Sequence, residues 1–227
     1  MINNTQRLEI ISRHSENGIN IPCYDGVIID DTVRIGHSTT ILPNTILMGN
    51  VSIGTGCTIG PGAYIQDSTI GDNTHLNNTH VYSSQVGSNV TAGPYAHIRP
   101  GCVIADSVHI GNFVEIKNSQ IDKGSKLPHL LYVGDSDVGK DVNFGCGCVT
   151  VNYNGRIKSR TTVKDGAFIG CNTNLVAPVI IGENAFTAAG STITEDVPDN
   201  ALAVARSRQH NKEDWVNVNK PYKRQHK

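Results

Sequence analysis

Arg99 and Lys117 are placed in the sequence so that both could grip one ligand. They stand 18 positions apart, each directly after an isoleucine (Ile98, Ile116), with Ile104 and Ile110 at equal steps between them. If each step of six residues is one short strand and three steps close a coil, the two cations stack in neighbouring strands about 4.8 Å apart. Like charges so placed repel by roughly 1 to 3 kcal/mol, which favours an anion between them. A phosphate suits this pair, because arginine offers a planar fork and lysine a point charge. The competing reading is two solvated surface cations that happen to align. His129 lies in KGSKLPHLLYVGD (residues 123–135), which keeps the six-residue count through Ile121, Leu127 and Val133 but contains Pro128, His129 and Tyr132. A modified corner is expected there. Histidine is the side chain best suited to accept a proton near neutral pH, although a lone histidine is more often structural or exposed. After Thr150 the text VNYNGRIKSRT interrupts the count until Val163, which reads as a projecting loop with a turn at Asn152, Tyr153 and Asn154 ahead of Gly155. Loops held out from a rigid scaffold often carry substrate contacts, the plain alternative being a turn that tolerates insertion.

These positions need a scaffold that keeps count, and the sequence spells one. Ile29, Ile35, Ile41, Leu47, Ile53, Ile59 and Ile65 recur every six residues without a slip. The pattern continues through Ile70, Leu76, Val81 and Val86, regains register from Ala92 to Ile116, and returns from Val163 to Ile193. Small or β-branched residues follow four places later, as at Val33, Thr39, Thr45, Val51, Cys57 and Ala63. Each lies two residues before the next aliphatic, and side chains two apart on an extended segment share a face, so both classes point inward. Glycine commonly follows the aliphatic residue (Gly36, Gly54, Gly71, Gly87), where a turn with positive φ is expected. Short strands at a fixed period predict an all-β fold, a parallel β-helix over residues 26–200 in which each coil buries its face only against its neighbours. Residues 1–25 form a lead-in with a short helix over 5–17, capped near Asn4 or Thr5, carrying Leu8 and Ile11 and stopped by Gly18. Residues 201–227 are irregular and basic, a surface arm with Trp215 as its expected anchor.

Bulk properties narrow the partners. Nineteen Lys and Arg against 20 Asp and Glu leave a net charge of -1, which argues against a general nucleic-acid or membrane-surface binder. No run of 18 or more apolar residues appears and MINNTQRLEI lacks signal-peptide order, so a cytoplasmic protein is expected. The six cysteines, with one C-x-C and no C-x-x-C, read as small reduced residues packed in a core.

The stretches GPYAHIRPGCVIADSVHIGNFVEIKNSQIDKGSKLPHLLYVGD, NFGCGCVTVNYNG and LVAPVIIGENAFTAAGSTITEDVPDNALAVARSRQ go further. Over residues 7–209 the chain resembles the carboxy-terminal acetyltransferase half of the bacterial bifunctional N-acetylglucosamine-1-phosphate uridyltransferase/glucosamine-1-phosphate N-acetyltransferases, with RPG, NFVEIK, PHLLY and NYNG in that family's order. The resemblance implies a left-handed β-helix with three hexads per coil and a homotrimer with sites between subunits. It implies acetyl transfer from acetyl-CoA to the 2-amine of glucosamine 1-phosphate, with no metal needed. Carried over by position, Arg99, Lys117, Tyr132, Asn143 and Lys158 would hold the sugar phosphate and His129 would accept the proton. Cys146, Asn152, Tyr153, Cys171, Ala189 and Arg206 would line the acetyl-CoA site. Cys171 and Ala189 are again 18 apart, so the same count stacks them. The family's uridyltransferase half has no counterpart in these residues, which leaves a separate uridyltransferase as a candidate partner. Cys171 takes a position associated with serine, which raises an acetyl-cysteine route, but nothing nearby in sequence supplies a base for it.

Three rivals remain at this level. One is a hexapeptide acyltransferase with another amino-sugar or hydroxyl acceptor. Another is a zinc hydratase of the carbonic anhydrase type on the same fold, for which His75, His80 and His97 would be the ligands. The last is a silent trimerisation scaffold, against which the joint presence of Arg99, Lys117, His129 and Asn152 argues.

Overall fold

The computed structural model describes residues 3–219. Among these, 27 short parallel strands wind into a solenoid of about ten coils, most strands two or three residues long. Each coil contributes one strand to each of three faces, except that the last has only the isolated bridge Ile181↔Val197 on the third. Face one runs through Ile28–Ile29, Ile46–Met48, Tyr64–Gln66, His80–Tyr82 and His97–Ile98 and on to Thr192–Ile193. Face two runs from Thr40–Ile41 to Leu202–Ala203, and face three is a nine-stranded sheet from Arg34–Ile35 to Val179–Ile181. Faces one and two merge because two strands, His109–Lys117 and Lys126–Gly134, bend around their shared edge without a break.

The hexad aliphatics form the interior as expected. Ile29, Leu47, Ile65, Val81, Ile98, Ile116 and Val133 are in direct register on face one, and all are fully buried. Burying each is worth roughly 1.5 to 3 kcal/mol, gained only when the coils on either side are present. The small residues four places on, from Val33 to Ala63 and from Ala167 to Ala185, are buried beside them.

The positive φ expected of the glycines that follow the aliphatic residues holds at Gly60, with φ 99, but not at most of the others. Gly36 does not adopt positive φ; a Cβ there would lie 2.7 Å from the carbonyl of Gly54 in the next coil, so what excludes a side chain is backbone approach. Positive φ falls instead two residues later, on Ser38, Asn73, Asn89 and their equivalents, where short polar side chains tolerate it. The cysteine expectation holds for Cys57, Cys102 and Cys148, which are buried, but Cys23 and Cys146 are half-buried and Cys171 is exposed.

At the amino end, α1 (Asn4–Glu16) is capped by Asn3, one residue before the expected range, in a capping box with Gln6. Ile10, Ile11 and His14 face the solenoid, whereas Leu8 is exposed. At the other end the coils persist into the expected arm, since Leu202–Ala203 pairs with Phe186–Thr187. The short helix α2 (Trp215–Asn219) buries none of its residues, so Trp215 does not anchor the arm to its own chain. Residues 220–227 of that arm lie outside the described residues. No described helix is long and apolar enough to cross a membrane.

Candidate active site

The pairing His97↔Glu115 and Ile98↔Ile116 places Arg99 directly beside Lys117 on face one, and Lys117 beside Gly134. The cations are not bare, which the sequence reading missed. Arg99 donates from Nη1 to Glu115 Oε1 at 2.7 Å, and Lys117 Nζ lies 3.6 Å from Asp135 Oδ2. The Glu115 hydrogen bond raises the Arg99 pKa. A third cation joins them: Lys158 reaches back beside Lys117, whose contact and charge lower its pKa. The carboxylates offset the repulsion only in part, and arginine keeps N–H donors free for an anion.

Tyr132 lies in the same patch. It pairs with Glu115 in register, and its ring lies across Gly134, where any Cβ would come within 2.7 Å of Cζ. Its hydroxyl is 3.5 Å from Asn152 Nδ2. Asn152 opens the excursion between strands Val149–Val151 and Thr161–Val163, which begins two residues earlier than expected to rejoin the coil. The excursion is held by an antiparallel bridge between Tyr153 and Lys158 and by Asn154 Oδ1, which accepts from the N–H groups of Arg156 and Ile157 at 3.0 Å each. At its far end Arg160 donates from Nε to Asp137 Oδ2 at 2.9 Å and to the carbonyls of Ser136 and Asn118.

His129 belongs to the opposite border of face one. The expected modified corner is a bend in the strand Lys126–Gly134, centred on Leu130 with φ 47, with His129 exposed just before it. Its Nδ1 is 3.4 Å from Asn112 Oδ1, the register partner in the preceding coil. Register then carries His129 onto Cys146, through Lys126↔Asn143, and Cys146 onto Cys171, through Phe144↔Ile169. Ile169↔Thr187 carries Cys171 onto Ala189. One column along this edge therefore holds the proton-acceptor candidate and three acetyl-CoA candidates. Asn172 N–H donates to the Cys146 carbonyl at 2.7 Å and Gly190 N–H to that of Cys171 at 2.8 Å, and Arg206 passes next to Gly190.

Two candidates stand apart. Asn143 is on face two, between Lys126 and Phe168, away from Arg99 and Lys117. Tyr153 is exposed on the excursion, across face one from the His129 column. The three histidines of the hydratase rival do not converge within the chain: His80 and His97 have ring centroids 6.4 Å apart on face one, while His75 is on face two.

Residues 160–195 match the family described as bacterial transferase hexapeptide (six repeats), and residues 24–129 match the GMPPB C-terminal domain. The bifunctional protein GlmU of Caldanaerobacter subterraneus subsp. tengcongensis is 59% identical over 210 residues, covering 92% of this chain and 46% of that protein. GlmU of a Geobacillus species is 52% identical over the same shares. The chain belongs to the hexapeptide-repeat acyltransferase family. It spans about half the length of these GlmU relatives. Solved structures share the family's fold at low identity. The Arabidopsis UDP-N-acetylglucosamine acyltransferase superposes with a TM-score of 0.60 at 17% identity, over 83% of this chain and 66% of that one. The enzyme of the same description from Campylobacter jejuni superposes at 0.51 and 18%, over 91% and 79%.

Proposed function

We propose that this chain transfers the acetyl group of acetyl-CoA to the 2-amine of glucosamine 1-phosphate. The observation that carries this reading is the gathering of Arg99, Lys117 and Lys158 with Tyr132 on one face, bordered by the His129 column on one side and by Asn152 on the other. Three cations around one point suit the dianionic phosphate of the sugar. His129 takes a proton from the amine, since only the neutral amine is nucleophilic. The amine nitrogen then bonds to the acetyl carbon, the carbon–sulfur bond breaks, and the proton leaves with the coenzyme A thiol. A backbone N–H near Asn152 and Tyr153 steadies the tetrahedral oxyanion, a role typically worth about 3 kcal/mol. Transfer is direct, with no acetyl-Cys171 and no metal in the reaction.

The site is completed by a second copy in a homotrimer. Asn143 on face two can join the phosphate site only from another subunit, and two exposed apolar strips stand ready to be covered. One is the edge column Tyr95, Phe113 and Leu130, more than half exposed in each case; the other is Phe168, Phe186 and Leu202 on face two.

A coupled assay supplies glucosamine 1-phosphate with acetyl-CoA and follows release of the free thiol. His129→Ala should abolish turnover while acetyl-CoA still binds; wild-type rates would remove His129 from the mechanism. Equal rates on glucosamine with and without its 1-phosphate would undo the roles of Arg99 and Lys117 and favour another acceptor.

A further inference from the structure

Asp135 takes no part in the chemistry above, yet its setting is unlike that of its counterparts. It occupies the turn between faces one and three with φ 50, as Asp67, Ser83 and Asn118 do in earlier coils with φ 46, 41 and 45. Those three are exposed, and Asp135 is 5% exposed because the excursion folds over it. Burying a carboxylate is costly unless its lone pairs are matched, and here both oxygens are. Oδ1 accepts from Asn118 Nδ2 at 2.5 Å. Oδ2 accepts a short hydrogen bond from Asn152 Nδ2 and faces Lys117 Nζ at 3.6 Å. The main chain is held too: Asp135 N–H donates to the Lys117 carbonyl at 2.9 Å, and the Asp135 carbonyl accepts from Thr161 N–H at 3.1 Å, just beyond the excursion.

We infer that Asp135 is a positioning residue, whose single carboxylate sets the place of Lys117 in the phosphate patch and the orientation of Asn152 at the root of the excursion. The anion site and the root of the excursion are thereby built on one buried group, which touches neither substrate. A carboxylate serving the fold alone would bond to scaffold residues; two of the three side chains on Asp135 belong to the proposed site. This inference rests on the reaction proposed above, but the placement of the excursion can be read without that reaction.

The substitution Asp135→Asn keeps the shape and removes the charge. An amide cannot accept from Asn118 and Asn152 at once, since its own NH2 then faces one of their NH2 groups. Asn152 is released or turned, and kcat should fall by roughly 10- to 100-fold, the scale of a displacement near 1 Å. Because the loss in kcat passes through Asn152, whereas Lys117 acts on binding of the phosphate, the double variant Asp135→Asn/Asn152→Ala should keep the kcat of Asn152→Ala alone. Multiplying losses, or a wild-type kcat in Asp135→Asn, would overturn the inference. Trypsin provides the readout independent of turnover: the excursion carries Arg156, Lys158 and Arg160. Cleavage there should be faster in Asp135→Asn than in the wild type, and unchanged cleavage would overturn the placement whatever reaction the enzyme performs. If Asp135→Asn does not fold, Asn118→Ala removes one anchor and keeps the charge. It should shift both readouts in the same direction by a smaller factor, and an Asn118→Ala protein that matches the wild type in both would equally defeat the inference.

Discussion

Lys117 is the residue on which the phosphate reading is most exposed to test. It sits between Arg99 and Gly134 in register, with Lys158 beside it and Asp135 behind it. A hydrogen bond to a charged group is worth about 1.5 to 3 kcal/mol, so Lys117→Ala should raise KM for glucosamine 1-phosphate by roughly 10- to 100-fold. KM for acetyl-CoA should change far less, and steady-state kinetics with each substrate varied in turn would show whether it does. Asp135 adds a dependence on pH. Burial pushes its pKa up, but the hydrogen bonds from Asn118 and Asn152 and the charges of Lys117 and Lys158 outweigh this and hold it below the usual carboxylate range. A carboxylate with a lowered folded pKa stabilises the fold above its unfolded value, near 4, and that contribution disappears as pH falls through the folded pKa. Wild type should therefore be more stable than Asp135→Asn at pH 7, with the gap closing below about pH 4, as thermal melts across that range would record. Cys171 is the counter-case. It is exposed at the edge column, and Cys171→Ser should retain turnover, because direct transfer asks nothing of its thiol. Loss of activity in that variant, with an acetylated wild-type protein, would restore the covalent route.

At the scale of elements, the solenoid works by repetition and the site by departures from it. The two long strands, His109–Lys117 and Lys126–Gly134, carry Arg99's neighbours, Lys117, His129 and Tyr132 around one edge in a single rigid piece. The excursion 152–160 is the other departure, tied at its root by Asp135 and at its far end by Arg160 on Asp137. Backbone approach at the glycines sets how tightly coils stack. Gly36→Ala should destabilise the protein by about 1 to 3 kcal/mol, the usual cost of overpacking, because its Cβ meets the Gly54 backbone rather than a movable side chain. A melting temperature equal to wild type would show that the coils can spread there. The aliphatic period located these strands and both departures in the sequence. It misjudged the glycines, since close approach and positive φ both select glycine and only coordinates separate them. It also missed Glu115 and Asp135, whose importance comes from the partner that register places beside each.

The whole molecule divides the site more than a list of residues suggests. Arg99, Lys117 and Tyr132 lie on face one with Lys158 reaching to them from the excursion, the His129 column lies on the edge, and Asn143 is on face two. Shared sites predict complementation. When Lys117→Ala and Asn143→Ala chains are co-expressed, the proposed homotrimer would contain sites with Lys117 from one chain and Asn143 from its neighbour. With random assembly about a quarter of sites should be intact, and activity should recover to that share although each variant alone is impaired. No recovery would place the whole site within one chain. What the sequence alone determined is the axis of the molecule: a six-residue period dictates which side chains point inward, and 18 residues dictate which stack, because strand geometry is local and repeats. That was enough to align Arg99 with Lys117 and Cys171 with Ala189. Tertiary structure decided which face each column occupies and what folds over it. Those depend on coils of 17, 18 and 25 residues following one another around the bends at Leu130 and Asn152, where the period says nothing.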